Sequence, residues 1–248
     1  MCQKLTLLFF ILSLTNIQQV ATDFKTEQLK HKRVKVAYQE KEKDVKQILK
    51  NNSIDSLSLF LRAFKDEETL EVWGKNTYNE QYILLTNYKI CWRSGNLGPK
   101  RKQGDYQVPE GFYTITVFNP ESKFHLSLGI DYPNFSDRVL GNKQQLGGDI
   151  FIHGDCFSIG CIPITDECIK ELYIYAVEAK NNGQLDIPAH IFPTRLSNNF
   201  INNYNYDDYM NYNHTEFWKN IKKGYDYFEK RRTLPNITTS ETGAYLFE

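Results

Sequence analysis

Apolar and polar positions along this chain change rhythm three times. Near the N-terminus, Lys4 precedes LTLLFFILSL, an apolar run of about ten residues. That length suits the centre of a secretory leader and is too short to span a bilayer. A charged stretch, TDFKTEQLKHKRVK, follows at once, so residues 1–21 are expected to be a signal peptide. Val34, Ala37, Val45, Ile48 and Leu49 then recur at helical spacing among charges. They predict an N-terminal helical segment within residues 22–55, lying on the main body and stopped by Asn51-Asn52.

The middle of the chain reads as short strands with turn chemistry between them. LSLFLRAF (57–64) and LEVWG are joined by KDEET as a hairpin. YILLTNYKICWRSG supplies two strand-like pieces around Asn87, and a Gly/Pro-punctuated loop, GNLGPKRKQGDYQVPEG, follows. FYTITVF, FHLSLGI and DIFIHG complete this group. A helix is expected over DECIKELYIYAVEAKNNG, capped by Thr165 or Asp166 and ended by Asn181, Asn182 and Gly183. LDIPAHIFPT reads as a last strand. Residues 198–213 are rich in Asn and Tyr and read as a long surface loop. TEFWKNIKKGYDYFEKRR then reads as an amphipathic helix with Phe217, Trp218, Ile221, Tyr225 and Phe228 near one side. Successive short strands of this kind favour a β-rich α+β fold over repeated βαβ units.

Composition narrows the function. Lys+Arg and Asp+Glu are both 30, which argues against a nucleic-acid partner. Beyond the leader, no stretch approaches membrane-spanning length. Of the five cysteines, Cys2 would leave with the leader, and Cys156, Cys161 and Cys168 cluster. Clustering suggests local chemistry, with Cys156 free to pair with Cys168 or Cys91. No Cys/His spacing forms a convincing zinc site, and no cofactor is implied.

The chemistry concentrates in FIHGDCFSIGCIPIT, residues 151–165. A thiol needs a base to become a nucleophile, and an imidazole can take that proton and return it to a leaving amine. Cys161 and His153 form such a pair eight residues apart, and exposed N–H groups near Gly160 and Cys161 could hold a tetrahedral oxyanion. His190 and His125 are further candidates to face the same cleft. A papain-like order is disfavoured, because there the histidine lies far downstream of the cysteine.

On these residues the chain resembles the YkuD-type L,D-transpeptidase catalytic-domain family, whose SxGC signature reads here as Ser158-Ile159-Gly160-Cys161. It is most similar to the YafK-like murein L,D-transpeptidase branch with a compact HGxxxSxGC motif, matched by HGDCFSIGC. LRAFKDEETLEVW, LGPKRKQGDYQVPEGFYTI, YPNFSDR and IPAHIFPTR resemble that branch in the same order. The resemblance implies a β-sandwich or barrel-like catalytic domain over residues 56–197, with an N-terminal helix and a C-terminal extension over 198–248. It implies Cys161 as nucleophile, His153 as base, Gly154 holding the histidine tautomer, and Ser158 and Gly160 shaping the cysteine loop. Peptidoglycan stem peptides would be the substrate, in the periplasm or cell envelope, with a wall-anchored protein as a possible acceptor or substrate. Hydrolysis by the same Cys–His site is the alternative outcome, and a non-catalytic wall-binding module a more distant one. Two departures stand out. Ile159 occupies the place of a second histidine in many members, and Ile162-Pro163 follows where many carry an arginine. Arg138 and Arg195 are the arginines expected to bind the substrate carboxylate instead.

Overall fold

The computed structural model describes residues 24–142, 145–204 and 214–248; the expected leader lies outside them. Eight strands form one large curled mixed sheet, in the order β3-β2-β1-β8-β4-β5-β6-β7. β1 (Leu57–Phe64) and β2 (Thr69–Asn76) pair in full antiparallel register, and β3 (Ile83–Lys89) extends that edge. β8 (Ile187–Phe192) lies parallel to β1 and antiparallel to β4 (Gly111–Asn119). β5 (Ser127–Ile130), β6 (Phe151–His153) and β7 (Ile162–Pro163) form the other edge. The β-rich α+β class is the one expected, with helices near both ends of the chain.

Side chains alternate across a strand, so each central strand feeds two cores. Leu57, Leu59, Leu61 and Ala63 of β1 share one face with Ala189 and Ile191 of β8. That face is covered by α1 (Asp166–Asn181), an α-helix buried almost all round. Thr165 caps it, its hydroxyl accepting from Cys168 N at 3.3 Å. The N-terminal helix, α2 (Lys32–Asn51), packs on the outer side of α1 through Val34, Ala37, Tyr38 and Val45. Lys170 bridges the two helices, 2.6 Å from Glu40.

The opposite face carries Phe60, Arg62 and Phe64 of β1, His190 and Phe192 of β8, and Phe112 of β4. The C-terminal helix, α3 (Thr215–Arg231), lays Trp218, Ile221 and Phe228 over it. Arg62 is buried there, 2.7 Å from Glu71 and 2.5 Å from Glu229 of α3. Removing one partner of such a buried pair costs roughly 3–5 kcal/mol, against about 1 kcal/mol for a helix cap. That cost applies to the enclosed Arg62–Glu71 pair within the sheet, while Glu229 of α3 joins it from a partly exposed position.

Three segments differ from the sequence reading. Ser94 and its neighbours leave the sheet, because Cys91 is tied elsewhere and donates its N–H to the Pro163 carbonyl. Residues Asn198–Asn203 form a helix, α4, capped by the Ser197 hydroxyl, rather than loop; residues 205–213 lie outside the described residues. The chain ends in a two-stranded ribbon, β9 (Ile237–Thr239) with β10 (Tyr245–Phe247), which no periodicity announced.

His190 sits among Phe60, Phe112 and Phe192, with ring centroids 4.6, 4.7 and 6.2 Å away. Burial there, aided by the Arg62 charge, pushes its pKa down to about 3. An unfolded histidine titrates near 6.5, so between these values the unfolded chain binds the extra proton. Stability supplied by the neutral ring is therefore lost as pH falls below about 6.5. His190→Met should shift the acid-unfolding midpoint, followed by tryptophan fluorescence, to lower pH. An unchanged midpoint would contradict this account.

Candidate active site

The site is built where β6 and β7 lie side by side. Ile152 pairs with Ile162 and His153 with Pro163 in parallel register. One step earlier, the Phe151 N–H reaches Cys161 Sγ at 3.4 Å. Cys161 comes one position before the paired residues of β7, with its thiol beside the Phe151 N–H, two strand positions from His153. Two residues of strand, roughly 6.6 Å, separate their positions. Among the described residues no hydrogen bond joins the imidazole to the thiol. Such bonds are often long or unmade before substrate binds.

The loop between them is closed at its neck. The Ile164 N–H donates to the His153 carbonyl at 2.9 Å, and the Asp155 N–H to Asp166 Oδ1 at 2.9 Å. Gly154 is required at this neck, because a Cβ there would meet Asp166 Oδ1 at 2.5 Å and the Phe124 carbonyl at 2.8 Å. Gly160 is required for a different reason. Its φ is +102°, a region that side chains disfavour.

His153 is 1% exposed and packs against the Phe124 ring at 4.6 Å. Its Nδ1 donates to the Gly154 carbonyl, which fixes the tautomer and leaves Nε2 as the basic nitrogen. Burial lowers its pKa, and the Gly154 carbonyl only partly offsets this. Burial raises the Cys161 pKa, with Asp149 adding to the rise. Both shifts favour the neutral thiol and imidazole over the thiolate and imidazolium.

The backbone N–H groups expected to be open are occupied. Cys161 N donates to Ser158 Oγ at 2.8 Å, and Gly160 N to Ser94 Oγ at 2.6 Å. Ser158 thus orients the cysteine turn. Ser94 was not visible as a site residue in the sequence, because it belongs to a segment 66 residues away. Its one signal is the half-cystine three positions earlier. Cys91 and Cys156 form a disulfide, with Cα atoms 5.3 Å apart. That bond and the Ser94 contact fasten segment 91–96 to the cysteine loop. Cys161 and Cys168 remain free.

A small hollow lies beside Cys161, lined by Ala63, Ile90, Val108 and Ile191, with Lys65 and Arg93. Lys65 is fully engaged, donating to the carbonyls of Gly98 and Val108 and to Glu110 at 2.7, 2.9 and 2.9 Å. Glu110 also receives Trp218 Nε1 at 2.7 Å, so helix α3 supports this wall.

The structure brings together His153, Gly154, Ser158, Gly160 and Cys161. It places Arg138, Arg195 and His190 elsewhere. His190 is enclosed on the opposite face of the sheet. Arg195 is on that face too, 2.8 Å from Glu71 and stacked over Phe64. Arg138 is exposed and turns back to the Pro133 carbonyl. His125 adopts a φ of +69° and its buried Nε2 finds no hydrogen-bond partner. Among the described residues, no group of three or more His, Cys, Asp or Glu converges to hold a metal, and no helix is long and apolar enough to cross a membrane.

Residues 65–182 match the YkuD family, the L,D-transpeptidase catalytic domain. The chain is 37% identical over 182 residues to YafK of Escherichia coli K12, designated a candidate L,D-transpeptidase; the match covers 73% of this chain and 70% of that protein. The helical cell shape determining protein Pgp2 of Campylobacter jejuni aligns with 18% identity and a TM-score of 0.45, over 75% of this chain and 74% of Pgp2. Bd1075 of Bdellovibrio bacteriovorus aligns with 23% identity and a TM-score of 0.40, over 55% and 47% of the two chains.

Because the thiol is held neutral, alkylation of Cys161 by iodoacetamide should climb about tenfold per pH unit through neutrality and level off only above the ordinary thiol range. Peptide mapping separates Cys161 from Cys168. A reactivity plateau already present at pH 6 would instead indicate a resting thiolate–imidazolium pair.

Proposed function

Because the chain belongs to the L,D-transpeptidase catalytic-domain family, we propose that it is a cysteine acyltransferase acting on peptidoglycan stem peptides. The observation that carries this reading is the pairing of β6 with β7. It supports the reading because β6 carries His153, with its tautomer fixed by Gly154, beside the turn that bears Cys161.

In the proposed reaction, Cys161 Sγ attacks the amide carbonyl after the L-centre of a stem peptide, at its bond to a D-residue. His153 Nε2 accepts the thiol proton as the S–C bond forms. A neutral pair suits this order, since the base must be unprotonated when substrate arrives. The developing oxyanion competes for the N–H groups of Gly160 and Cys161. Charge-assisted hydrogen bonds are about twice as strong as neutral ones, so exchange of the serine oxygens for the oxyanion is favoured. The tetrahedral intermediate collapses, the C–N bond breaks, and His153 returns its proton to the departing amine. An acyl thioester on Cys161 remains.

An incoming amine then yields a new cross-link, and water yields hydrolysis. The same residues serve both. An amine on another stem peptide or on a wall-anchored protein is the acceptor class. The Cys91–Cys156 disulfide favours action in an oxidising compartment such as the periplasm.

Purified protein incubated with disaccharide tetrapeptides and with muropeptide dimers, followed by mass spectrometry, tests the reading. Dimers made from monomers indicate transfer; dimers cut to monomers indicate hydrolysis. Cys161→Ala should abolish both, and His153→Ala should lower the rate by about 100-fold or more. Activity surviving in Cys161→Ala would sink the mechanism.

A further inference from the structure

Serine oxygens cover both backbone donors at the nucleophile, and the two serines are not equivalent. Ser158 belongs to the cysteine turn and is buried. Its Oγ accepts from Cys161 N at 2.8 Å and hydrogen-bonds to the thiol as well, so its own proton has a place to go. Ser94 reaches the turn from outside and is only partly buried. Its Oγ accepts from Gly160 N at 2.6 Å, and among the described residues nothing accepts the Ser94 proton. A hydroxyl is donor and acceptor together, so half of this group's capacity is open beside the nucleophile.

The backbone on either side of Ser94 is held. Behind it, Cys91 is bonded to Cys156 of the cysteine loop and donates its N–H to the Pro163 carbonyl at 3.0 Å. Ahead of it, the Asn96 N–H donates to Gln107 Oε1 at 3.1 Å, and Gln107 is buried. Gly95 makes the turn between them with a φ of +71°, where a Cβ would meet Gln107 Oε1 at 2.6 Å. The Gln107 carbonyl in turn lies against Gly160, 3.3 Å from where a Cβ would stand. Ser94 is thus anchored to the turn through its neighbours, while its hydroxyl can change partners by rotation about χ1 and its own C–O bond.

We propose that Ser94 is a side-chain donor of the oxyanion hole. As Cys161 Sγ adds to the carbonyl, the oxyanion takes the Gly160 N–H, and the displaced Ser94 hydroxyl turns to donate a hydrogen bond to that same oxygen. No proton is transferred. Ser94 passes from acceptor to donor, and the oxyanion has three donors instead of two. When the intermediate collapses, the hydroxyl returns to Gly160 N. This rests on the proposed cysteine acyl transfer and adds to it a residue 66 positions away from the turn it serves.

Two reagents that meet the same thiol separate this role from a structural one. Iodoacetamide alkylates Cys161 by displacement of iodide, with no oxyanion. p-Nitrophenyl acetate acetylates it through a tetrahedral oxyanion, with no need of stem-peptide recognition. Peptide mapping follows both products on Cys161. Ser94→Ala should slow acetylation roughly 10- to 100-fold and leave alkylation unchanged. Ser94→Thr, which keeps the hydroxyl, should restore most of the acetylation rate. With disaccharide tetrapeptides, Ser94→Ala should lower kcat and leave KM near its wild-type value. Equal slowing of both reagents would mean that Ser94 only shapes the turn, and would overturn the proposal. Acetylation unchanged or faster in Ser94→Ala would overturn it as well, since Ser94 would then merely occupy the Gly160 N–H. Ser94-dependent acetylation in a protein that leaves every muropeptide unchanged would sustain Ser94 and fault the peptidoglycan reading alone.

Discussion

The buried contact between Lys65 and Glu110 is the constraint on which the site depends. Both side chains are almost wholly withdrawn from water. Burial of the lysine lowers its pKa, and the Glu110 carboxylate opposes that fall. A lone charge in that position is untenable, so the surrounding backbone must supply acceptors. It does so with the carbonyls of Gly98 and Val108, which fixes the loop leading into β4. Glu110 in turn holds Trp218 of the C-terminal helix and the Gly98 N–H. One pair thus connects the end of β1, the wall of the hollow beside Cys161, and the helix on the far side of the sheet.

The two faces of the sheet do different work. The face under α1 is largely aliphatic and ends at Cys161. The face under α3 is aromatic and ionic; it encloses Arg62 and His190, and Arg195 pairs with Glu71 at its margin. Chemistry-bearing residue types therefore lie close to the site in sequence terms yet stand on the wrong side of the sheet. A single step in strand register decides this: Ala63 and Ile191 border the hollow, while Arg62 and His190 do not.

Much of this architecture was legible in the sequence. The hairpin at KDEET, the Thr165 cap and the apolar stripe of the C-terminal helix carry local signals that tertiary structure only confirmed. His153 and Cys161 stood out in the sequence because both lie in one short motif. The contacts of Ser94 and Glu110 were not, since each spans dozens of residues. Likewise the N–H groups that looked open in the motif are satisfied by serines, one of them distant. Arg195 and His190 were misleading because residue type carries no information about which face of β8, or which neighbour, will claim it. The terminal ribbon escaped notice because strands of three residues are too short for a period to register.

The neck that closes residues 154–163 has a consequence for divergence. His153 is held by β5 and β6, and the chain is gathered again at Ile164 and Asp166 before α1 begins. Between these points, Phe157 and Ile159 are 60% and 59% exposed. Changes at such positions displace no core atom and strain neither end of the loop. Those two positions can therefore drift between lineages and alter what meets Cys161 from outside, while Gly154, Cys156, Ser158 and Gly160 around them stay fixed by their own contacts.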